Sequence, residues 1–293
     1  MATTLNNLAA LHWDLNRLEM AEKEYKDALE IRRKLAEANP DAFLPDVAMT
    51  LNNLANLHSD LNRFEMAEKE YKEALEIYRK LAEVNPDAFL PYVATTLNNL
   101  AALHSDLNRF EMAEKEYKEA LEIYRRLANA NPDAFLYYVA TILNNLANLH
   151  QNHNRFEIAE TEYREALEIY KNLTIDNDDA FLYYVAGTLN NLAGLHKNLN
   201  RFEIAEEEFK EALEIRRKLA NANPDAFLPY VAGTLFNIAL LRMSEHRQDE
   251  AKKACEEALK IYKAMAKKAP QKWNKDVDKA EQLLDFINKT ENS

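Results

Sequence analysis

The chain has 293 residues, 47% of them hydrophobic, and a formal net charge of −12. Such acidity argues against nucleic acid as a partner, because phosphate binding needs clustered Lys and Arg. With 3 glycines, 8 prolines and 1 cysteine, the chain shows no flexible linker and no disulfide framework, and no uninterrupted apolar run approaches the roughly 20 residues that span a bilayer. These readings predict one structural unit that works in the cytoplasm, away from membranes.

In chain order the dominant signal is self-similarity. Leu-Asn-Asn begins at Leu5, Leu51, Leu97, Leu143 and Leu189, and a degraded copy, Leu-Phe-Asn, at Leu235, each 46 residues after the last. The first repeat opens abruptly at Met1-Ala2-Thr3 and reads as a cut inside a longer array. Every repeat predicts two helices. In the third, Val93, Leu97, Leu100, Ala101 and Leu103 put an apolar stripe on the first helix. A tight connection follows, where Asn16, Asn62, Asn108, Asn154 and Asn200 supply a residue that tolerates the left-handed conformation a hairpin needs. The second helix carries Phe110, Ala113, Tyr117, Ala120, Leu121, Ile123, Tyr124 and Leu127 on one face and Glu-before-Lys pairs such as Glu114 and Lys118 on the other. It stops at Asn131-Pro132, since proline disfavours helix in the residue before it. After the sixth repeat, Val277, Ala280, Leu284 and Ile287 space out an amphipathic helix that covers the last repeat face. Residues 1–269 are therefore expected to form six repeats and 270–293 a capping helix, with the natural C-terminus present.

The pattern Leu-x-x-Leu-Ala-x-x-His, then Ala, an aromatic four later and Ala three later, is carried in the second repeat by Leu51, Leu54, Ala55, His58, Ala67, Tyr71 and Ala74. It resembles the tetratricopeptide repeat over nearly the whole chain. The 46-residue period, longer than the family's usual 34, resembles the long-repeat branch typified by kinesin light chain. The resemblance implies an all-α fold, a right-handed superhelical solenoid of stacked helix-turn-helix hairpins, first helices inside and charged second helices outside, with a C-terminal capping helix. It also implies a protein interaction module and not an enzyme.

Residues that could do chemistry are sparse. No phosphate loop, nucleophile elbow or close metal-ligand cluster is spelled in the chain, so no catalytic residue, metal or cofactor is expected. His12, His58, His104, His150 and His196 fall one per repeat, and neighbouring repeats sit about 8–10 Å apart, too far for shared coordination. The resemblance puts them at a packing position that usually holds Tyr. Cys255 stands where the other repeats have Tyr25, Tyr71, Tyr117, Tyr163 and Phe209, as a small core substitute. Lys252, Lys253, Lys267, Lys268, Lys272 and Lys275 make the C-terminal end basic and read as a solvated face.

Asn is a mediocre helix former, yet Asn7, Asn53, Asn99, Asn145, Asn191 and Asn237 recur in all six repeats. Their position resembles the one whose amides hold a bound peptide's main chain in kinesin light chain and in the superhelix of O-linked N-acetylglucosamine transferase. Simple duplication, or a bond to a neighbouring helix, is the alternative. Two turns earlier lie Tyr92, Tyr138, Tyr184 and Tyr230, expected either to edge the groove or to pack between repeats. Asp14, Asp60 and Asp106 fall near the same stripe and give way to Asn152, Asn198 and Ser244, which predicts a groove acidic at first and neutral later. The expected partner is thus a protein or peptide ligand, extended, and basic where Asp60 and Asp106 meet it. The competing readings are a self-assembling array, in which the uncapped N-terminal repeat stacks on another copy, and the sensor of a larger enzyme or switch.

Overall fold

Each repeat folds as two helices because small and apolar side chains return at 3–4 spacing on both. The computed structural model describes residues 1–176 and 178–291. The first helices are α1 (Ala2–Asp14), α3 (Pro40–Asp60), α5 (Pro86–Asp106), α7 (Pro132–Asn152), α9 (Leu182–Asn198) and α11 (Pro224–Ser244). The second helices are α2 (Leu18–Ala38), α4 (Phe64–Val84), α6 (Phe110–Ala130), α8 (Phe156–Asp176), α10 (Phe202–Ala222) and α12 (Gln248–Lys268), and α13 (Pro270–Glu291) follows them. No strand occurs among the described residues. The helices form a serial solenoid that divides into two compact bodies, Met1–Leu149 and His150–Ser293, where composition predicts one unit. In such an array a helix packs on its neighbours in sequence, and no central core ties the ends together.

Three alanines per hairpin set the helix crossing. Ala55, Ala67 and Ala74 are completely buried, as are Ala101, Ala113 and Ala120, and side chains that small let backbones approach within the 8–10 Å typical of helix pairs. Leu51, Leu54, Leu57 and Tyr71 fill the flanks. The hairpin turns as expected: Asn16, Asn62, Asn108, Asn154 and Asn200 all have φ between 55° and 58°. After α5, Arg109 N–H reaches back to His104 O at 2.8 Å, closing the orphan carbonyls of the last turn. The sixth turn uses His246, φ 59°, which the asparagine pattern did not reveal.

The first helices begin earlier than their Leu-Pro or Leu-Tyr junctions. Pro40, Pro86, Pro132 and Pro224 stand at the first helical position, where a missing N–H costs nothing and φ is preset. Asn85, Asn131 and Asn223 each accept the N–H of the residue three later at 3.3 Å. The fifth repeat has Asp178 in place of that proline, and there Asp178–Phe181 form a 3-10 turn and the helix starts only at Leu182. Proline therefore fixes the start, and the early start is what places the tyrosines on a helix.

α13 is a seventh first helix stopped by charge. Its Pro270, Val277 and Ile287 stand 46 residues after Pro224, Val231 and Leu241. Ala280 and Ile287 are completely buried, Ile287 among Ala239, Ala251 and Cys255, and the Cys255 thiol, pushed up to about 11 by burial, lies 3.3 Å from Ala280 O. On its other side Asp278, Glu281 and Asp285 replace Ala232, Leu235 and Ala239, so a second helix packed there would bury three carboxylates. α11 corrects the reading of apolar runs: by length and composition it could cross a membrane, with a mean hydropathy of 1.4. Thr234, Asn237 and Arg242 interrupt that run in the sequence, and in the fold Val231, Ala232, Leu235, Ala239 and Leu241 are buried as core.

Asn108→Ala should lower the denaturant midpoint by the equivalent of about 1–2 kcal/mol, the cost of a left-handed Cβ, whereas Asn108→Gly should be close to neutral. Equal losses for both would mean that the side chain, and not the backbone conformation, matters at the turn.

Candidate functional site

On each first helix a stripe at 3–4 spacing stays unburied. In α5 it is Tyr92, Thr95, Asn99, Ala102 and Asp106; in α3, Asp46, Met49, Asn53, Asn56 and Asp60; in α11, Tyr230, Gly233, Asn237, Leu240 and Ser244. Asn7 and Asp14 lie on it in α1, Tyr138 and Asn145 in α7, and Tyr184 and Asn191 in α9. The asparagines, tyrosines and aspartates singled out in the sequence thus lie together on the unburied face of their own first helix. Two further positions of the stripe lie between them, and counting 3–4 from the asparagine finds both. All three glycines of the chain occupy them, and a Cβ at Gly187 or Gly194 would meet nothing within 4 Å.

The amides form an inter-repeat ladder. Asn99 Nδ2 donates to Asn56 Oδ1 at 3.4 Å, Asn145 Nδ2 to Asn98 Oδ1 at 3.0 Å, and Asn237 Nδ2 to Asn190 Oδ1 at 3.2 Å. The bond to a neighbouring helix is therefore present at these three. Asn99 Oδ1 also accepts from Asn98 Nδ2 at 3.3 Å; an amide has two donors and two acceptor lone pairs, so each keeps capacity for a ligand.

The tyrosines do pack between repeats. Tyr92 stacks on Tyr78 of the preceding hairpin at 5.2 Å, Tyr138 on Tyr124 at 4.8 Å, Tyr184 on Tyr170 at 5.3 Å, and Tyr230 lies 5.7 Å from the Arg216 guanidinium. In the second repeat Asp46 stands in the tyrosine's place, 3.6 Å from Arg32. Tyr92, Tyr138 and Tyr230 nonetheless remain 50%, 41% and 38% exposed. Arg32 and Arg216 were not singled out, though both are buried; they donate to Thr50 and Thr234, and burial pushes Arg216 down to about 10. Asp60 and Asp106 are exposed at the ends of α3 and α5, with Trp13 Nε1 donating to Asp60 Oδ2 at 2.9 Å.

The histidines are polar clasps to glutamates, not apolar packing. His58 is fully buried, with Nδ1 2.7 Å from Glu70 in its own hairpin and Nε2 3.3 Å from Glu22 in the one before. His104 holds Glu116 and Glu68, and His196 holds Glu208 and Glu160, in the same way. At His58 both ring nitrogens lie within hydrogen-bond distance of a carboxylate, and because a neutral imidazole has one N–H, donating to both requires the imidazolium. Burial pushes His58 and His196 down, but the two carboxylates outweigh it and leave both above the ordinary 6.5. Burial likewise raises Glu22, Glu68 and Glu160, yet hydrogen bonds from Lys26, Lys72 and Arg164, from Arg63, Arg109 and Arg201, and from the histidines hold all three at about 2. In the sixth repeat Arg242 takes the histidine's place and binds Glu206, 2.7 Å from Nη2. Among the described residues no three His, Cys, Asp or Glu side chains gather as a metal would require.

Hairpins packed in series, presenting a polar and aromatic stripe on their first helices, define a helical-repeat interaction scaffold. Tetratricopeptide repeat profiles match residues 1–80, 46–126, 92–172, 185–225 and 232–265, and the chain belongs to that family. No curated protein matches it. Among solved structures, the kinesin-light-chain-like BtubC (BKLC) from P. vanneervenii is 27% identical, with a TM-score of 0.68 over 85% of this chain and 92% of that one. The apo form of RapI, 13% identical, covers 97% of this chain and 99% of its own with a TM-score of 0.62. PilF of Pseudomonas aeruginosa, 15% identical, covers 89% and 91% with 0.56. The last two share the fold alone. Tetratricopeptide repeats generally mediate protein–protein interaction and are typically non-enzymatic scaffolds.

The clasps make stability depend on pH from both sides. With folded values above 6.5, the contribution of His58 and His196 is complete below 6.5 and is lost as pH rises through those values. With Glu22, Glu68 and Glu160 at about 2 against 4.5, theirs is complete above 4.5 and is lost as pH falls toward 2. The denaturant midpoint should be highest at about pH 5–6, and the His58→Arg, His196→Arg double variant should lose less of it by about pH 8.5. An identical alkaline loss in both proteins would show that the imidazoles are neutral.

Proposed function

We propose that the stripe of first helices binds an extended peptide segment of a partner protein, its main chain on the asparagine amides, its apolar side chains against the tyrosine rings. The carrying observation is that Tyr, Asn and Asp return at one spacing on the unburied face of the first helices within each compact body. Asp60 and Asp106 add support, because a carboxylate in the last turn of a helix opposes the macrodipole at about 0.3–1 kcal/mol, a cost that the bond from Trp13 offsets at Asp60 but that burial does not offset at the exposed Asp106. They favour Lys or Arg in the ligand. The net charge of −12 speaks for protein over nucleic acid, and the cytoplasm, where Cys255 keeps a free thiol, is the proposed place of action.

Peptides selected from a displayed random library against this chain provide the test. Replacing Asn53, Asn99 and Asn145 with Ala removes up to three ligand hydrogen bonds of about 0.5–1.5 kcal/mol each, so affinity should fall roughly tenfold to a thousandfold, similarly for different peptide sequences. Stability should move little, since the lost ladder bonds are offset by about half a kcal/mol of helix propensity per site. Asp60→Asn should weaken only ligands carrying Lys or Arg. Selected peptides that bind the triple variant unchanged would exclude the amides from recognition.

A second reading, self-association, is favoured by the outer face of α1. Leu8 and Leu11 are 37% and 51% exposed, whereas Leu54 and Leu57, their counterparts, are 2% and 0%. Mass that falls on dilution, and no longer does so in Leu11→Glu, supports it; a constant monomer mass removes it.

A further inference from the structure

The last hairpin departs from its five internal copies around one cleft. Between the start of α11, the end of α12 and the start of α13 lies a cleft of about 540 Å³ floored by Leu228, Ile261, Ala264, Met265 and Trp273. Elsewhere the position of Ala264 holds Lys34, Lys80, Arg126, Asn172 or Lys218, and that of Lys260 holds Glu30, Glu76, Glu122, Glu168 or Glu214. Glu30 and Lys34, and Glu76 and Lys80, pair along one turn at 2.6 and 2.7 Å. In α12 the long side chain beside the floor is cut back to a methyl group, and its carboxylate partner becomes an ammonium.

The rest of the rim changes in the same direction. Lys272 replaces an alanine found in all five copies, Gln271 replaces an aspartate found in all five, Lys268 stands where three of them have Ala, and Trp273 enlarges a phenylalanine position. Lys272 Nζ lies 5.0 Å from the Trp273 ring centroid, and Lys260 makes no ion pair among the described residues. The rim carboxylates are engaged, Asp225 by Lys268 at 2.7 Å and Glu257 by Arg217 at 2.6 Å. The uncommitted charge around an apolar floor is therefore positive, in a protein that is acidic overall.

We propose that this cleft binds an acidic peptide segment, seating one large apolar side chain on the Trp273 floor and its flanking carboxylates at Lys260 and Lys272. The volume is that of a small-ligand pocket, and it opens to one side, which leaves a backbone outside. Asp225 and Glu257, retained at the rim, oppose a uniformly anionic surface and suit a short segment whose charges fall at the lysines. None of the stripe residues lines the cleft, so this proposal and the peptide-binding stripe stand or fall separately.

Trp13→Phe leaves Trp273 as the one indole of the two in the chain and makes its fluorescence the readout. The peptide Asp-Asp-Leu-Asp-Asp should give a saturable change, and its Asn-Asn-Leu-Asn-Asn counterpart should bind at least about tenfold more weakly. Restoring the residues of the other repeats, Lys260→Glu with Ala264→Lys, should abolish the acidic-peptide signal while the melting temperature holds, because three hairpins already fold with that pair. Lys272→Ala is a second variant of the same kind and should weaken binding. No saturable change at millimolar peptide, equal affinity for the Asn peptide, unchanged binding to both restored variants, or tighter binding of laurate than of the peptide would each overturn the proposal.

Discussion

A buried histidine set between a glutamate of its own hairpin and one of the hairpin before joins neighbouring hairpins at His58, His104 and His196, and the alignment of those hairpins depends on it. The apolar contacts between hairpins are largely alanine and leucine, which tolerate sliding, so alignment falls to the polar pairs and the stacked tyrosines. A slip by one helical turn would set His58 against Lys26 in place of Glu22, an ammonium against an imidazolium. Because desolvation offsets much of the attraction in such clusters, their main contribution is specificity of alignment and not raw stability. Stripe residues meet at matching heights only while that alignment holds: Asn145 reaches Asn98, and Tyr138 lies flat on Tyr124 with 8° between the ring planes.

The cap supports this account through paired changes. Where α2, α4, α8 and α10 carry Glu22, Glu68, Glu160 and Glu206, α12 carries Lys252; where α3, α5 and α9 carry histidine, and α11 arginine, α13 carries Asn288. Both members of the clasp change at the one junction that faces a cap. A histidine that merely filled space would tolerate an apolar replacement, yet its substitute in the sixth repeat is Arg242, which keeps the charge and binds the preceding glutamate. That substitution was visible in the sequence and could have marked the position as cationic.

What the sequence made legible follows from the range of the interactions. Repeat period, hairpin turns, helix ends and the amphipathic cap depend on residues within a few positions of each other, so Asn108, Asn131 and the Val277–Ile287 spacing sufficed. The ladder partners did not follow, because Asn99 meets Asn56 across 43 residues and spacing alone does not say which of two adjacent asparagines points at the neighbouring helix. Nor could it choose between Tyr92 in a groove and Tyr92 between repeats. The ring does both, stacking on Tyr78 with one face and leaving half its surface open.

The repeats also act as controls for one another, and the residues that vary among them separate packing from surface function. Ala55, Ala101, Ala147, Ala193 and Ala239 are identical and completely buried, while one turn of stripe beside them reads Asn56, Ala102, Asn148, Gly194 and Leu240. Packing permits no such drift, so that variation belongs to the open face. Glycine within a helix costs about 1 kcal/mol relative to alanine, and α9 carries two without a positive φ or a steric demand for either. Alanine would stabilise the fold at both sites and would fill the space directly over the backbone. Glycine there leaves room on the stripe that the packing of the fold does not require.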